Sequence, residues 1–228
     1  MSVNVVATER WRETYPGAMV GVLGIRGLVN PVLDTVLQDH AALVSDQLRA
    51  RFAGTGRTQL LAIPTLQAYA AYCKRFGKTY HIQLQLESVL LKGKSITGPS
   101  ALVQAMYIAE LKNQILTAGH DLEMVRGGIV IDVSLGSEKY TMLSGGEQAL
   151  KAGDMFIHDE EGILSSIIHG PDQRTRITPE TRVVVFTAYA PPGISKAELE
   201  THLSDLDLNT RLFSPHAEVE TREILATG

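Results

Sequence analysis

Two serines, a histidine and a glycine stand close together in the segment ILSSIIHGPD, and this is where chemistry is most readily placed. Ser165 and Ser166 interrupt an otherwise apolar run. A hydroxyl there can bind a ligand or satisfy its own backbone. On a strand the two point to opposite faces, so only one can face a pocket. His169 precedes the turn Gly170-Pro171-Asp172 and could face a cleft at the strand end. A lone loop histidine can equally be structural. Gly170 would let a backbone amide approach a ligand with no side chain in the way. Thr187 alternates with Phe186 and Ala188 in RVVVFTAY and offers a further neutral hydroxyl. Arg174 and Arg176, spaced by two, share a face on an extended segment. With Lys74, Arg75 and Lys78, and with Lys92 and Lys94, they could contact phosphates. Scattered solvated charge is the equal alternative.

Other chemistries lack their motifs. The chain has no GxxxxGK[ST], HExxH or GxSxG. GVLGIRG (Gly21 to Gly27) has glycines after a strand, but its spacing is not that of a dinucleotide loop and no acidic residue follows at the right place. Glycines that allow close packing are the simpler account. None of the seven histidines pairs at i, i+4 on a helix. His158 with Asp159, Glu160 and Glu161 contains metal-ligating types, but a single hairpin turn aims them apart. No metal and no cofactor is expected. Cys73 is the only cysteine, so neither an internal disulfide nor a cysteine cage can form.

The elements that must position these residues follow from patterning. Residues 17–29 read as a buried strand with glycine punctuation. Pro31 opens a helix over about 31–53, with Val32, Val36, Leu43, Val44 and Leu48 at helical spacing. A second helix starts at Pro64 and ends at Gly77. Residues 80–92 fit a helix better than a strand. Gly98-Pro99-Ser100 leads into a long helix to about Ala118, with Gly119 as its C-terminal cap. From Gly127 to Tyr189 the period becomes two. GGIVIDVS and KYTMLS form a hairpin around Leu135-Gly136-Ser137, MFIH and ILSSII flank an acidic turn, and RVVVFTAY follows. Ser195 with Glu198 is a capping box for a helix to about Leu206. Residues 216–224 are a candidate last strand. Segregated helices and antiparallel strands predict an α+β fold, mostly antiparallel sheet packed with helices.

The 228 residues suffice for one sizeable domain; residues 1–60 could be an N-terminal subdomain on the same core. Hydrophobic content of 44% and charge of 20% are ordinary for a globular protein. A net charge of −4 argues against attachment to nucleic acid by bulk positive charge. The start reads as no signal peptide, and no apolar run has the length of about 18 residues that a membrane helix needs. The expected compartment is the cytoplasm.

The order Gly98-Pro99-Ser100, helix, Gly119-His120-Asp121, IVIDVS, Leu143-Ser144-Gly145-Gly146, FIHDEEG, IIHGPD, VVFTAY resembles the B3/B4 module of the phenylalanyl-tRNA synthetase β subunit. More closely it resembles the stand-alone B3/4-domain proteins. The resemblance covers roughly residues 60–190. It implies the B3/B4 fold and a pocket that, in the synthetase, hydrolyses tyrosine wrongly esterified to tRNA. Carried over by position, the family's glycine-rich pocket loop falls at His169-Gly170. Its tyrosine-reading carboxylate falls at Thr187 and its pocket histidine near Glu123. Replacement of both polar groups implies loss of tyrosine-specific editing. Nothing here matches a synthetase's catalytic domain, so the chain is not a ligase. The resemblance implies tRNA or aminoacyl-tRNA as partner, with Lys74, Arg75, Arg174 and Arg176 on RNA and deacylation of mischarged tRNA as the activity. The competing readings are an amino-acid or small-molecule binding module, and a scaffold without catalysis.

Overall fold

The computed structural model describes residues 3–227. In chain order, β1 (Val5–Ala7), α1 (Glu9–Thr14) and β2 (Met19–Arg26) lead to α2 (Thr35–Arg51), α3 (Arg57–Leu60), α4 (Pro64–Lys74), α5 (His81–Lys92) and α6 (Ala101–Asn113). The strands β3 (Leu116–Asp121), β4 (Ile129–Val133), β5 (Lys139–Thr141), β6 (Glu147–Ala149), β7 (Met155–His158), β8 (Ile163–Ser166), β9 (Gly170–Pro171) and β10 (Val183–Ala190) follow. The chain then forms α7 (Lys196–Phe213) and β11 (Glu218–Ala226).

Two principal sheets carry the α+β architecture. One has the order β11-β2-β10-β3 and is antiparallel throughout. The other, β1-β4-β7-β8-β9, is mixed, because β1 joins β4 in parallel. β2 is buried along nearly its whole length, as a strand covered on both faces must be. Its glycines serve that packing. A Cβ on Gly21 would sit 3.2 Å from side-chain carbons of Leu199 and Leu203 on α7, and one on Gly24 3.3 Å from Thr221 Cβ on β11. The GVLGIRG string is therefore a close-packing device.

α6 is buried almost all round, from Ala101 to Leu111, and packs against α2, α7 and β3. No helix among the described residues is long and apolar enough to cross a membrane.

Several boundaries depart from the patterning. α2 begins at Thr35, where the Asp34 carboxylate accepts the Leu37 N–H at 2.9 Å, rather than at Pro31. α6 stops at Asn113, well before Ala118. Gln114 takes the left-handed conformation (φ 57°), and its side-chain amide donates to Leu111 O and Lys112 O. Gly119 is thus an interior residue of β3, not a helix cap. The hairpin expected around Leu135-Gly136-Ser137 does not form. The Glu138 carboxylate gathers Ser134 Oγ and the N–H groups of Leu135 and Gly136, which shapes a loop instead. β4 pairs with β1 and β7, while β5 pairs with β6. α5, the strands flanking the acidic turn, the Ser195–Glu198 capping box and the last strand form as the sequence indicates, with α7 running on to Phe213.

Candidate functional site

A cavity of about 390 Å³ opens where β3, the β8–β9 edge and helices α5 and α6 meet. Its wall is largely apolar, with Val103, Met106, Leu116, Ala118 and Ile177, and carries a few polar groups, among them Glu110, Ser166 and Arg176. That composition and size are those of a small-molecule site.

Glu110 comes from the buried helix α6. One of its oxygens accepts the Thr117 N–H at 2.7 Å, and this is the one bond it makes among the described residues. Burial pushes its carboxyl up to about 8, against the pull of that N–H. At neutral pH the group is mostly a neutral acid with a proton to donate.

Behind the cavity runs a buried polar chain. Thr175 Oγ1 donates to Asp172 Oδ1. With Asp172 ionised, Thr175 Oγ1 must accept from His120 Nδ1, 2.8 Å away. His120 Nε2 is then the acceptor for Ser165 Oγ–H at 3.1 Å, and the Tyr189 hydroxyl donates to Ser165 Oγ at 2.8 Å. Burial, with the nearby Arg174 charge, pushes His120 down to about 3, so the ring is neutral and has one N–H, as this order requires. Tyr189 itself lines the cavity. Beside Ser166, Asp154 accepts from Tyr72 Oη at 2.7 Å. Burial pushes Asp154 up to about 6, opposed by the Tyr72 and Ser166 hydroxyls.

Of the residues singled out in the sequence, Ser166, Gly170 and Arg176 come together at the cavity. Ser165 lies one layer deeper, facing away from Ser166 as strand alternation demands. Thr187 is fully buried in β10, with Oγ1 3.4 Å from Ala118 O, and does not line the cavity. His169 does not line it either. Its backbone N–H donates to Ser166 Oγ at 3.1 Å while its Nε2 is buried without a partner among the described residues. Glu123 is exposed on the turn Leu122–Met124. Gly170 has φ +79°, and nothing lies within 4 Å of where its Cβ would be. The turn geometry, not a crowded neighbour, calls for glycine there.

The basic residues divide. Arg174 pairs with Asp159 at 2.8 Å, Glu161 at 3.4 Å and Asp172 at 3.7 Å. The Arg75 guanidinium lies 5.1 Å from the Tyr15 ring centre, with Tyr72 and Phe76 beside it. Lys74 is exposed at the end of α4. Arg176 alone of these four lines the cavity. In the acidic turn, Asp159 accepts the N–H groups of Arg126, Glu161 and Gly162. Among the described residues no group of three or more His, Cys, Asp or Glu could hold a metal ion.

Glu110, His120 and Tyr189 were not singled out as site residues. The legible signal for Glu110 was a carboxylate set in the apolar run ALVQAMYIAEL.

No protein-family model matches the chain, and no curated protein matches it. Among solved structures, it is similar to an N-terminal fragment of the phenylalanyl-tRNA synthetase β subunit from Pyrococcus horikoshii, with a TM-score of 0.50 and 15% identity. The match covers 96% of this chain and 50% of that one, so this chain spans about half the length of the fragment. At that identity the likeness is one of fold, and it extends to the synthetase fragment without singling out the B3/B4 module.

Proposed function

We propose that this protein is a binding module for a small ligand whose apolar body is of amino-acid size. The observation that carries this reading is the cavity of about 390 Å³, apolar except for a few groups and containing a buried carboxyl held neutral. A neutral acid in such a wall donates one directional hydrogen bond to a ligand carbonyl or hydroxyl without the cost of burying a charge. The test is a thermal-shift and calorimetric survey of aromatic and branched amino acids, their esters and their amides. Saturable binding that is lost in Val103→Phe, which fills the cavity, is expected. Absence of binding by every member of that panel would overturn the reading.

Hydrolysis of aminoacyl-tRNA is the second reading, and the fold likeness to the synthetase fragment supports it. In this form the cavity holds the aminoacyl group, and Ser166, the Gly170 loop and Arg176 lie at the ester. Lys74 is exposed and could reach RNA, whereas Arg75 or Arg174 would touch it only at the expense of the aromatic and ionic contacts they already make. The measurement is deacylation of tyrosyl- and phenylalanyl-tRNA by the parent and by Gly170→Val. With Thr187 buried and no carboxylate in its place, activity without strong tyrosine preference is expected. Inactivity on both substrates leaves the binding module.

A further inference from the structure

Arg176 is exposed and occupies a singular position. It lines the apolar cavity and also an adjoining open groove that contains Lys139 and Arg174 together with the acids Glu161 and Asp172. Lys139 has Glu147 at 3.1 Å, and Arg174 has its acids. Arg176 has no carboxylate within 4 Å among the described residues; the bond it makes is from its guanidinium to Gln173 O at 3.0 Å. The cavity contains one other basic residue, His81, on α5. A guanidinium keeps its charge at any ordinary pH and presents a fork of donors suited to carboxylate or phosphate oxygens. Placed at the rim of an apolar hole, it matches a molecule that is apolar at one end and anionic at the other.

We infer that the ligand is an amphipathic anion whose apolar body fills the cavity and whose anionic oxygen group, carboxylate or phosphate, pairs with Arg176. This inference rests on the cavity being a ligand site. Arg176 is thereby a specificity-determining residue rather than one member of a diffuse basic patch. The neutral state of Glu110 agrees with it, since an ionised carboxylate in the same cavity would repel the ligand.

The experiment uses three probes with one phenyl body: 3-phenylpropanoate, 3-phenylpropanamide and phenethyl phosphate. Each is titrated into the parent protein and Arg176→Ala by calorimetry at neutral pH. In the parent at least one anion should bind about tenfold tighter than the amide, the scale of a charge-assisted hydrogen bond. That advantage should shrink with added salt. In Arg176→Ala the three probes should bind alike. A stronger phosphate points to a phosphate monoester, a stronger carboxylate to a free acid. Amide and anions binding equally to the parent would overturn the inference and leave the cavity as a site for a neutral ligand. Failure of all three to bind, together with failure of the amino-acid panel, would remove the cavity reading as well.

Discussion

A carboxyl group with a raised pKa makes folding depend on pH in a direction opposite to that of most acids. Glu110 keeps its proton in the native state up to about 8, whereas the unfolded chain releases it near 4.5. Native protein therefore binds more protons than unfolded protein across that window, and stability falls as pH rises through it. Asp154, raised to about 6, acts in the same direction at lower pH. His120 and His202, pushed by burial to about 3 and about 4, act oppositely, as do His81 and His169, which burial also lowers; their effect is complete about one unit above the ordinary histidine value of 6.5. Between pH about 7.5 and 8.5 the remaining descent belongs mainly to Glu110. Denaturant unfolding should show a loss of about 0.5–1 kcal/mol over that interval, and Glu110→Gln should flatten it. A parent curve that is level there would place the Glu110 proton wrongly. Arg174 makes the converse case. Its side chain is 24% exposed, and its partners Asp159 and Asp172 are 0% and 5% exposed. Arg174→Ala should cost about 1–3 kcal/mol, because it leaves the buried Asp159 and Asp172 with hydrogen bonds but without their countercharge. A change below about 0.5 kcal/mol would show that those hydrogen bonds alone hold the two carboxylates. Residue type alone could not divide Arg174 from Arg176: the segment expected to be extended turns at Arg174, where the Thr175 N–H donates to Asp172 Oδ1, and only the fold brings the acids to one and the cavity to the other.

At the scale of elements, β3 decides the shape of the site. Gly119 lies in its middle, and a Cβ there would come within 2.7 Å of Ile177 Cδ1 and 3.1 Å of a Phe186 ring carbon. Gly119→Ala should cost about 1–3 kcal/mol by overpacking and should weaken ligand binding through displacement of Ile177, a wall residue. Unchanged stability with unchanged binding would show that this wall yields freely. β3 was hidden in the sequence because its entry is a left-handed Gln114 rather than a glycine, and because LTAGHD is too short to show a period. Glu110 was hidden for a related reason. One charge per few helical turns ordinarily marks a solvated stripe, and α6 has none. Ser166 and Gly170 were legible because period-two patterning and a positive-φ glycine each have one strong local cause. The expected hairpin at Leu135-Gly136-Ser137 failed because Glu138, a charged residue with no turn signature, takes the loop's donors.

For the whole molecule, the central position of β2 governs what can be separated. Val22 pairs with Thr187 on one side and with Glu223 on the other. A chain restricted to residues 61–228 would lack β2, leaving β10 and β11 without their shared neighbour. We expect that fragment to show no cooperative thermal transition and no dispersed amide spectrum. A folded fragment would make the first sixty residues an accessory. The α+β class was readable from segregated patterns because it depends on many residues at once. The sheet order was not, because the pairing of β2 with strands at the far end of the sequence leaves no local trace.

That same pairing sets a timetable for synthesis. β2 (Met19–Arg26) is made well before its partners β10 (Val183–Ala190) and β11 (Glu218–Ala226). During translation it must wait, apolar and unpaired, until residues near 226 have cleared the ribosome. A strand in that condition is a target for chaperones and for mispairing with other nascent chains. Ribosome-bound chains halted at residue 180 should therefore be protease-sensitive through residues 19–26, and chains extended past residue 228 by a linker should be protected there.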